Sequence, residues 1–268
     1  MASAPDAQQQ LPMFYNKLVP INKAEHEKWR SRKTQKAKWL ANQHAVPLTV
    51  EEFPQAQRNF PIVFSQGGTP VPLALMGMNE GVNVYVDDDG TVKDRIYLPA
   101  YARRYPFILA KLTPDAEELS LCVDPTSDLV GEFDEGVELF EGDGPSEAVQ
   151  HTLKFCEQFE LAAQKTANFV SELQKHDLLM EGELSVKPDG RDQPVVYRGF
   201  RIVDGEKLKE LRGDVLRGWS QNGMLPLIYA HIFSLEMVRE VFGRQLEQGK
   251  VPSPGESPAN SATPASDA

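Results

Sequence analysis

Five histidines and two cysteines are the obvious metal ligands and nucleophiles of this chain, and their spacing builds neither kind of site. His26, His44, His151, His176 and His231 form no HxH, HxD or HxxxH pair. Cys122 and Cys156 stand outside any CxxC pair and have no His or Cys at ligand spacing, so they are expected to be buried thiols that pack as small hydrophobes. No GxSxG elbow, HExxH helix, P-loop or GxGxxG turn occurs. The nearest thing to a phosphate loop, "SQGG" at 65–68, lacks a lysine and is better explained as a turn. A calcium loop around Asp87, Asp88 and Asp89 with Gly90 at its sixth position would require an oxygen ligand where Tyr85 stands. No catalytic residue, metal ligand or cofactor is therefore predicted. His231 lies in an apolar segment and is expected to be a satisfied core histidine.

What remains is cationic and aromatic. The stretch "LPAYARRYPFILA" sets Arg103 and Arg104 among Tyr97, Tyr101, Tyr105 and Phe107 in a chain of net charge -11. A planar guanidinium fork suits a carboxylate, and the rings offer stacking area, so the strip fits an acidic partner or peptide. The same residues also pack well together, guanidinium planes on rings. A second stretch, "LRGWSQNGMLPLIYAH", brings Trp219, Asn222 and Tyr229 around glycines and a proline, a make-up that binds peptides or simply turns corners. The candidate binding set is thus Arg103, Arg104, Tyr101, Tyr105, Trp219, Asn222 and Tyr229.

These side chains need elements to hold them. A basic helix is predicted over 23–43, with Asn22 as its cap and Glu25 completing a capping-box start. Trp29 and Trp39 stand about 80° apart round that helix, which suggests that it docks on the acidic body, on a partner protein or on an anionic surface. Short β segments follow at 60–65, 71–78 and 82–87. The chain turns at Asp89-Gly90 and returns over 94–99, then continues as strands at 107–112 and 119–124. Seven acids and no base occupy residues 131–147, a solvated loop for which the basic helix is the natural docking place. Pro145 is then expected in the first turn of a long helix whose apolar face is Val149, Leu153, Cys156, Phe159, Ala163, Ala167, Val170 and Leu173. "LLMEGELSVK" and "QPVVYRGFRIVD" are strands joined by "PDGRDQP"; Asp204 caps the next helix, and a last helix runs over 225–245.

The fold class predicted is α+β: a mostly antiparallel sheet with packed helices in one main domain, 13–246, between disordered tails at 1–12 and 247–268. Residues 1–60 carry 9 basic and 5 acidic side chains, +4; the rest carry 19 and 34, -15. A pI near 5 argues against general nucleic-acid binding. No run approaches the roughly 20 apolar residues of a membrane helix. The N-terminus shows neither a Sec nor a twin-arginine signal, and a cytoplasmic location is expected.

Several blocks of the sequence resemble the bacterial SapC family. They are "YNKLVPINKAEH", "FPIVFS" with "PVPLALMGMNEGVNVYVDDDG", "LPAYARRYPFILA" and "LRGWSQNGMLPLIYAHIFSLEMV", in order from about Phe14 to Phe242. The resemblance implies an association with surface-layer protein and secretion genes, and with proteins encoded near TonB-dependent receptors, tryptophan halogenases and cupin-like hydroxylases. It brings no established catalytic residues. Two functions are expected from this. One is a non-catalytic cytoplasmic accessory factor that binds a protein or peptide and assists export or modification of surface-associated proteins. The alternative is a metal-dependent oxygenase or an accessory subunit of one. Homo-oligomerisation through the helix carrying Trp29 and Trp39 is a further expectation.

Overall fold

The computed structural model describes residues 11–250, apart from Pro114, Glu117 and 188–193. The expected tails therefore lie outside the described residues over 1–10 and 251–268, as does most of the "PDGRDQP" connection. The fold is α+β, and every strand pair described is antiparallel. The helices are α1 (Lys23–His26), α2 (Phe53–Ala56), α3 (Ala100–Arg103), α4 (Glu147–Lys175), α5 (Gly205–Glu210), α6 (Gly213–Gln221), α7 (Met224–Ser234) and α8 (Val238–Glu247). Contacts divide the chain into two compact units. One takes the residues up to Lys33 and Tyr105–Cys156; the other takes Thr34–Arg104 and the described residues from Glu157 onward. The division falls within α4, after Cys156.

In the first unit, strands Phe107–Ala110 and Ser120–Val123 form a hairpin to which Val19–Pro20 adds a third strand. Tyr15, Ile108 and Cys122 make a small core behind it. Asp124, fully buried, holds the N-terminal segment by accepting from the Asn16 N–H at 2.8 Å and from the Thr126 N–H and hydroxyl at 2.9 and 2.7 Å.

The basic helix expected over 23–43 is not formed. Asn22 does cap a helix, accepting from the Glu25 N–H at 2.9 Å, but α1 stops at His26. Arg30–Ser31 is instead the middle strand of a sheet between Val130–Gly131 and Val137–Glu138. A helix would have set Lys28, Arg32 and Lys36 four apart with like charges on one face. The strand brings Arg30 to Glu138 (2.6 Å), while Lys23 reaches Asp143 (3.0 Å). The acidic segment does meet the basic one, as β structure rather than as a loop on a helix. Pro145 is likewise not in a first helical turn. It pairs with Phe140 in a two-residue ladder, and Ser146 caps α4 by accepting from the Val149 N–H at 3.4 Å. On α4 the expected face is buried at Val149, Cys156, Val170 and Leu173, whereas Ala167 is exposed.

The second unit is built on a five-stranded sheet in the order Leu179–Glu181, Arg201–Val203, Ile62–Phe64, Pro72–Leu75, Ala45–Pro47. Its core gathers Phe53, Phe60, Ile62, Phe64, Tyr85, Leu173, Leu178 and Ile228. The two middle strands pair only at Arg201↔Phe64. Beyond that rung α7 supplies the missing partners. His231 Nε2 accepts from the Val203 N–H at 3.0 Å, its Nδ1–H donates to the Ile62 carbonyl at 2.8 Å, and Ser234 Oγ accepts from the Ile62 N–H at 2.8 Å. This is the satisfied core histidine expected, and it completes a sheet. The final helix expected over 225–245 is interrupted by a 3₁₀ turn at Leu235–Met237, directly after Ser234.

The strands expected at 82–87 and 94–99 are irregular chain with one bridge, Val86↔Val92. Buried Asn83 replaces the ladder there. Its amide donates to the Leu40 and Gln43 carbonyls, and its carbonyl accepts from the Tyr85 and Val86 N–H groups. The Asp89-Gly90 turn forms as predicted, with Gly90 at φ 85° and its carbonyl accepting from the Ala37 N–H at 2.7 Å. A Cβ on Gly90 would lie 2.6 Å from the Lys38 nitrogen. Gly90→Ala is therefore expected to cost about 2 kcal/mol, from the left-handed backbone and the clash together. Chemical denaturation checks this, and a loss below about 0.5 kcal/mol would contradict it.

Candidate functional site

The site is anchored on Glu52, which is 5% exposed. Thr49 and Glu52 form a capping box at the turn leading into α2. Glu52 Oε2 accepts from the Thr49 N–H (2.7 Å) and hydroxyl (3.0 Å); Oε1 accepts from the Tyr97 hydroxyl (3.0 Å) and the Ala100 N–H (2.6 Å). Four donors on one carboxylate compensate for taking its charge out of water. They also fix the start of α3 and the Tyr97 phenol. The Trp39 indole N–H donates to the Ala102 carbonyl at 3.1 Å and pins the far side of the same turn.

Arg103 stands exposed on α3. Its Nε donates to the Leu98 carbonyl at 3.0 Å and its Nη2 to the Tyr97 hydroxyl at 3.2 Å, so the guanidinium is tied through Tyr97 to buried Glu52. Burial pushes the Tyr97 phenol up to about 12, with the Glu52 carboxylate adding to the effect. At neutral pH the phenol stays protonated, donating to Glu52 and accepting from Arg103.

Arg104 is of a different kind, only 6% exposed. Its guanidinium carbon lies 4.2 Å from the ring centres of both Tyr101 and Phe159, which stand 6.0 Å from each other and so flank it on two adjacent sides. Nη1 donates to Glu160 at 3.4 Å, and Nε is buried with no hydrogen-bond partner. Glu160 keeps 38% of its side chain exposed.

Of the other residues in the candidate binding set, Tyr101 alone joins this cluster. Tyr105 belongs to the first unit, where its ring meets Tyr15 at 5.3 Å and Phe14 at 6.3 Å. Trp219 is buried edge-on against His176, ring centres 5.1 Å apart. Asn222 accepts from the Met224 N–H at 3.0 Å and closes the turn from α6 to α7, where Gly223 takes φ 84°. Tyr229 is exposed and stacks on Phe233 at 5.8 Å. Trp29 and Trp39 share no helix: Trp29 packs on His26 in the first unit, at 4.3 Å between ring centres, and Trp39 holds α3 in the second.

Sequence reasoning missed Glu52 and Phe159 as parts of the site. The T49-V-E-E52 capping-box pattern was readable; that the same carboxylate also takes Tyr97 and Ala100, 45 and 48 residues away, was not. Among the described residues no group of three or more His, Cys, Asp or Glu stands close enough to hold a metal ion, and no helix is long and apolar enough to cross a membrane.

No curated protein and no solved structure matches the chain. The family model for SapC does, over residues 21–241, a span that contains both arginines, Glu52, Tyr97 and Phe159. The chain belongs to the SapC family.

Proposed function

We propose that the chain is a non-catalytic accessory factor that binds an acidic segment of a polypeptide and assists export or modification of surface-associated proteins. The observation that carries this reading is Arg103: a cation exposed on an acidic chain, with its fork already oriented by Leu98 and by the Glu52–Tyr97 pair. A side chain fixed before binding gives up less rotamer entropy on meeting a carboxylate, and the contact is bidentate where the geometry allows. The reading includes a cytoplasmic location, which the burial of both cysteine side chains supports.

The test uses short synthetic acidic peptides and their Asn/Gln counterparts, measured against wild type and Arg103→Ala. Wild type is expected to prefer the acidic set, and the variant to bind it about fivefold more weakly while melting within a few degrees of wild type, as suits an exposed charged contact. Wild type showing no preference for the acidic set defeats the reading.

A further inference from the structure

Arg103 shares its surface with two further arginines. We propose that Arg58 and Arg95 are binding residues beside it, and that the partner is an extended polypeptide segment carrying several carboxylates rather than one. This rests on the polypeptide-binding reading and names the chemistry of the segment, which that reading leaves open.

Tyr97 brings the three together. At its backbone end the Tyr97 N–H donates to Asn59 Oδ1 at 3.0 Å, which sets Arg58, the neighbour of Asn59, beside the stretch in which Arg95 lies two residues before Tyr97. At its far end the Tyr97 hydroxyl accepts from Arg103 Nη2 at 3.2 Å. Arg95 and Arg103 are exposed and Arg58 is half-buried. Among the described residues the side chains of Arg58 and Arg95 make no hydrogen bond or ion pair. The acids of the same two segments, 51–59 and 94–103, are all engaged elsewhere. Glu51 accepts from Lys165 at 2.6 Å, Glu52 is buried under its four donors, and Asp94 accepts from Arg244 at 2.5 Å.

Three like charges on neighbouring segments raise the local potential and draw anions to the surface, even on a chain of net charge -11. Their attachment points are spread along the length of a tyrosine side chain rather than gathered at one point. A single carboxylate cannot serve all three. An extended segment can, because its side chains return to one face at every second residue. Ile96 and Leu98, both half-buried, add apolar surface in the same stretch.

The experiment uses the full chain and three amidated peptides of equal length: one neutral, one with a single Glu, one with three Glu at alternate positions. Wild type is expected to bind the three-Glu peptide ~tenfold more tightly than the single-Glu peptide, from contacts of about threefold each, the scale of exposed charged pairs. Arg58→Gln/Arg95→Gln is expected to lose that advantage, to bind the single-Glu peptide as wild type does, and to melt within a few degrees of wild type. A folded double variant that keeps the advantage overturns the inference. Should it fail to melt cooperatively, Arg95→Gln decides alone; it is expected to weaken the three-Glu peptide about threefold, and unchanged binding overturns the inference. A ten-nucleotide single-stranded DNA that binds more tightly than the three-Glu peptide, and is lost in the same variant, overturns the assignment to a polypeptide. If the double variant keeps the advantage while Arg103→Ala still weakens the acidic peptides, this inference falls and the broader reading stands. Wild type with no preference for either acidic peptide over the neutral one defeats both.

Discussion

Glu52→Ala is expected to lower the stability of the fold by about 4 kcal/mol, one of the two largest losses we anticipate from a single substitution. The carboxylate serves four donors, the Thr49 N–H and hydroxyl, the Tyr97 hydroxyl and the Ala100 N–H. Each buried donor left without a partner costs about 1–3 kcal/mol, and some of that is recovered where water enters. Glu52→Gln is the sharper probe. Both carboxylate oxygens accept, so whichever one the amide nitrogen replaces, an N–H then faces an N–H or O–H. The conservative variant is therefore expected to recover less than half of the loss. Urea titration of the three proteins decides the matter. A Glu52→Gln protein as stable as wild type would mean that the carboxylate is not needed as a double acceptor.

The same substitution reaches the proposed binding surface. Without Glu52 the Tyr97 hydroxyl loses its acceptor, and Arg103 loses the anchor that holds Nη2. Stability and the proposed recognition share one buried carboxylate here, so binding defects in Glu52 variants must be judged only where the protein is folded.

What was legible in the sequence follows a physical division. Local signals held. Asp204 caps α5, its carboxylate accepting from the Glu206 and Lys207 N–H groups; the spacing of apolar residues in α4 marks its buried face; Asp89-Gly90 turns the chain. These depend on residues within a few positions of each other. Where the outcome depends on a distant partner, the local reading failed. Residues 27–37 have the composition of a basic helix, and distant sheet partners at Val130–Gly131 and Val137–Glu138 take Arg30 and Ser31 into a strand. The strands expected at 82–87 and 94–99 yield to Asn83, whose amide reaches carbonyls 40 and 43 positions back.

The candidate site shows the same limit. Arginines flanked by tyrosines suit binding and packing equally, and the pattern at 101–105 cannot divide the two roles. Position in the fold separates the two side chains: Arg103 is exposed, while Arg104 is buried against Phe159, which comes from α4 and stands 55 positions further along the chain. Trp219 and Asn222, prominent in composition, are used up in packing and in turn closure.

Acidification is expected to remove about 2 kcal/mol of stability by pH 5, and about 3 kcal/mol by pH 4, through His231 alone. Its imidazole is fully buried, and burial pushes it down to about 4, against an ordinary value of 6.5. The sign follows from proton uptake. Below pH 6.5 the unfolded chain binds a proton at this position that the folded protein refuses, so stability is complete above that pH and falls as the pH drops toward 4. The structural reason is that both ring nitrogens are committed in the neutral form, Nδ1–H to the Ile62 carbonyl and Nε2 to the Val203 N–H. A proton on Nε2 would set two donors against each other between the middle strands of the sheet. Burial also lowers His44, with the same sign, so the wild-type slope alone does not isolate His231. The difference between wild type and a variant does. His231→Gln keeps a neutral donor and acceptor and is expected to fold with a flatter dependence between pH 6.5 and 4. His231→Leu leaves the Val203 N–H and the Ile62 carbonyl without this partner, and is expected to cost about 3 kcal/mol at pH 7. Denaturation midpoints measured across that pH range give both numbers. A His231→Gln protein with the wild-type slope would assign the acid sensitivity to other groups.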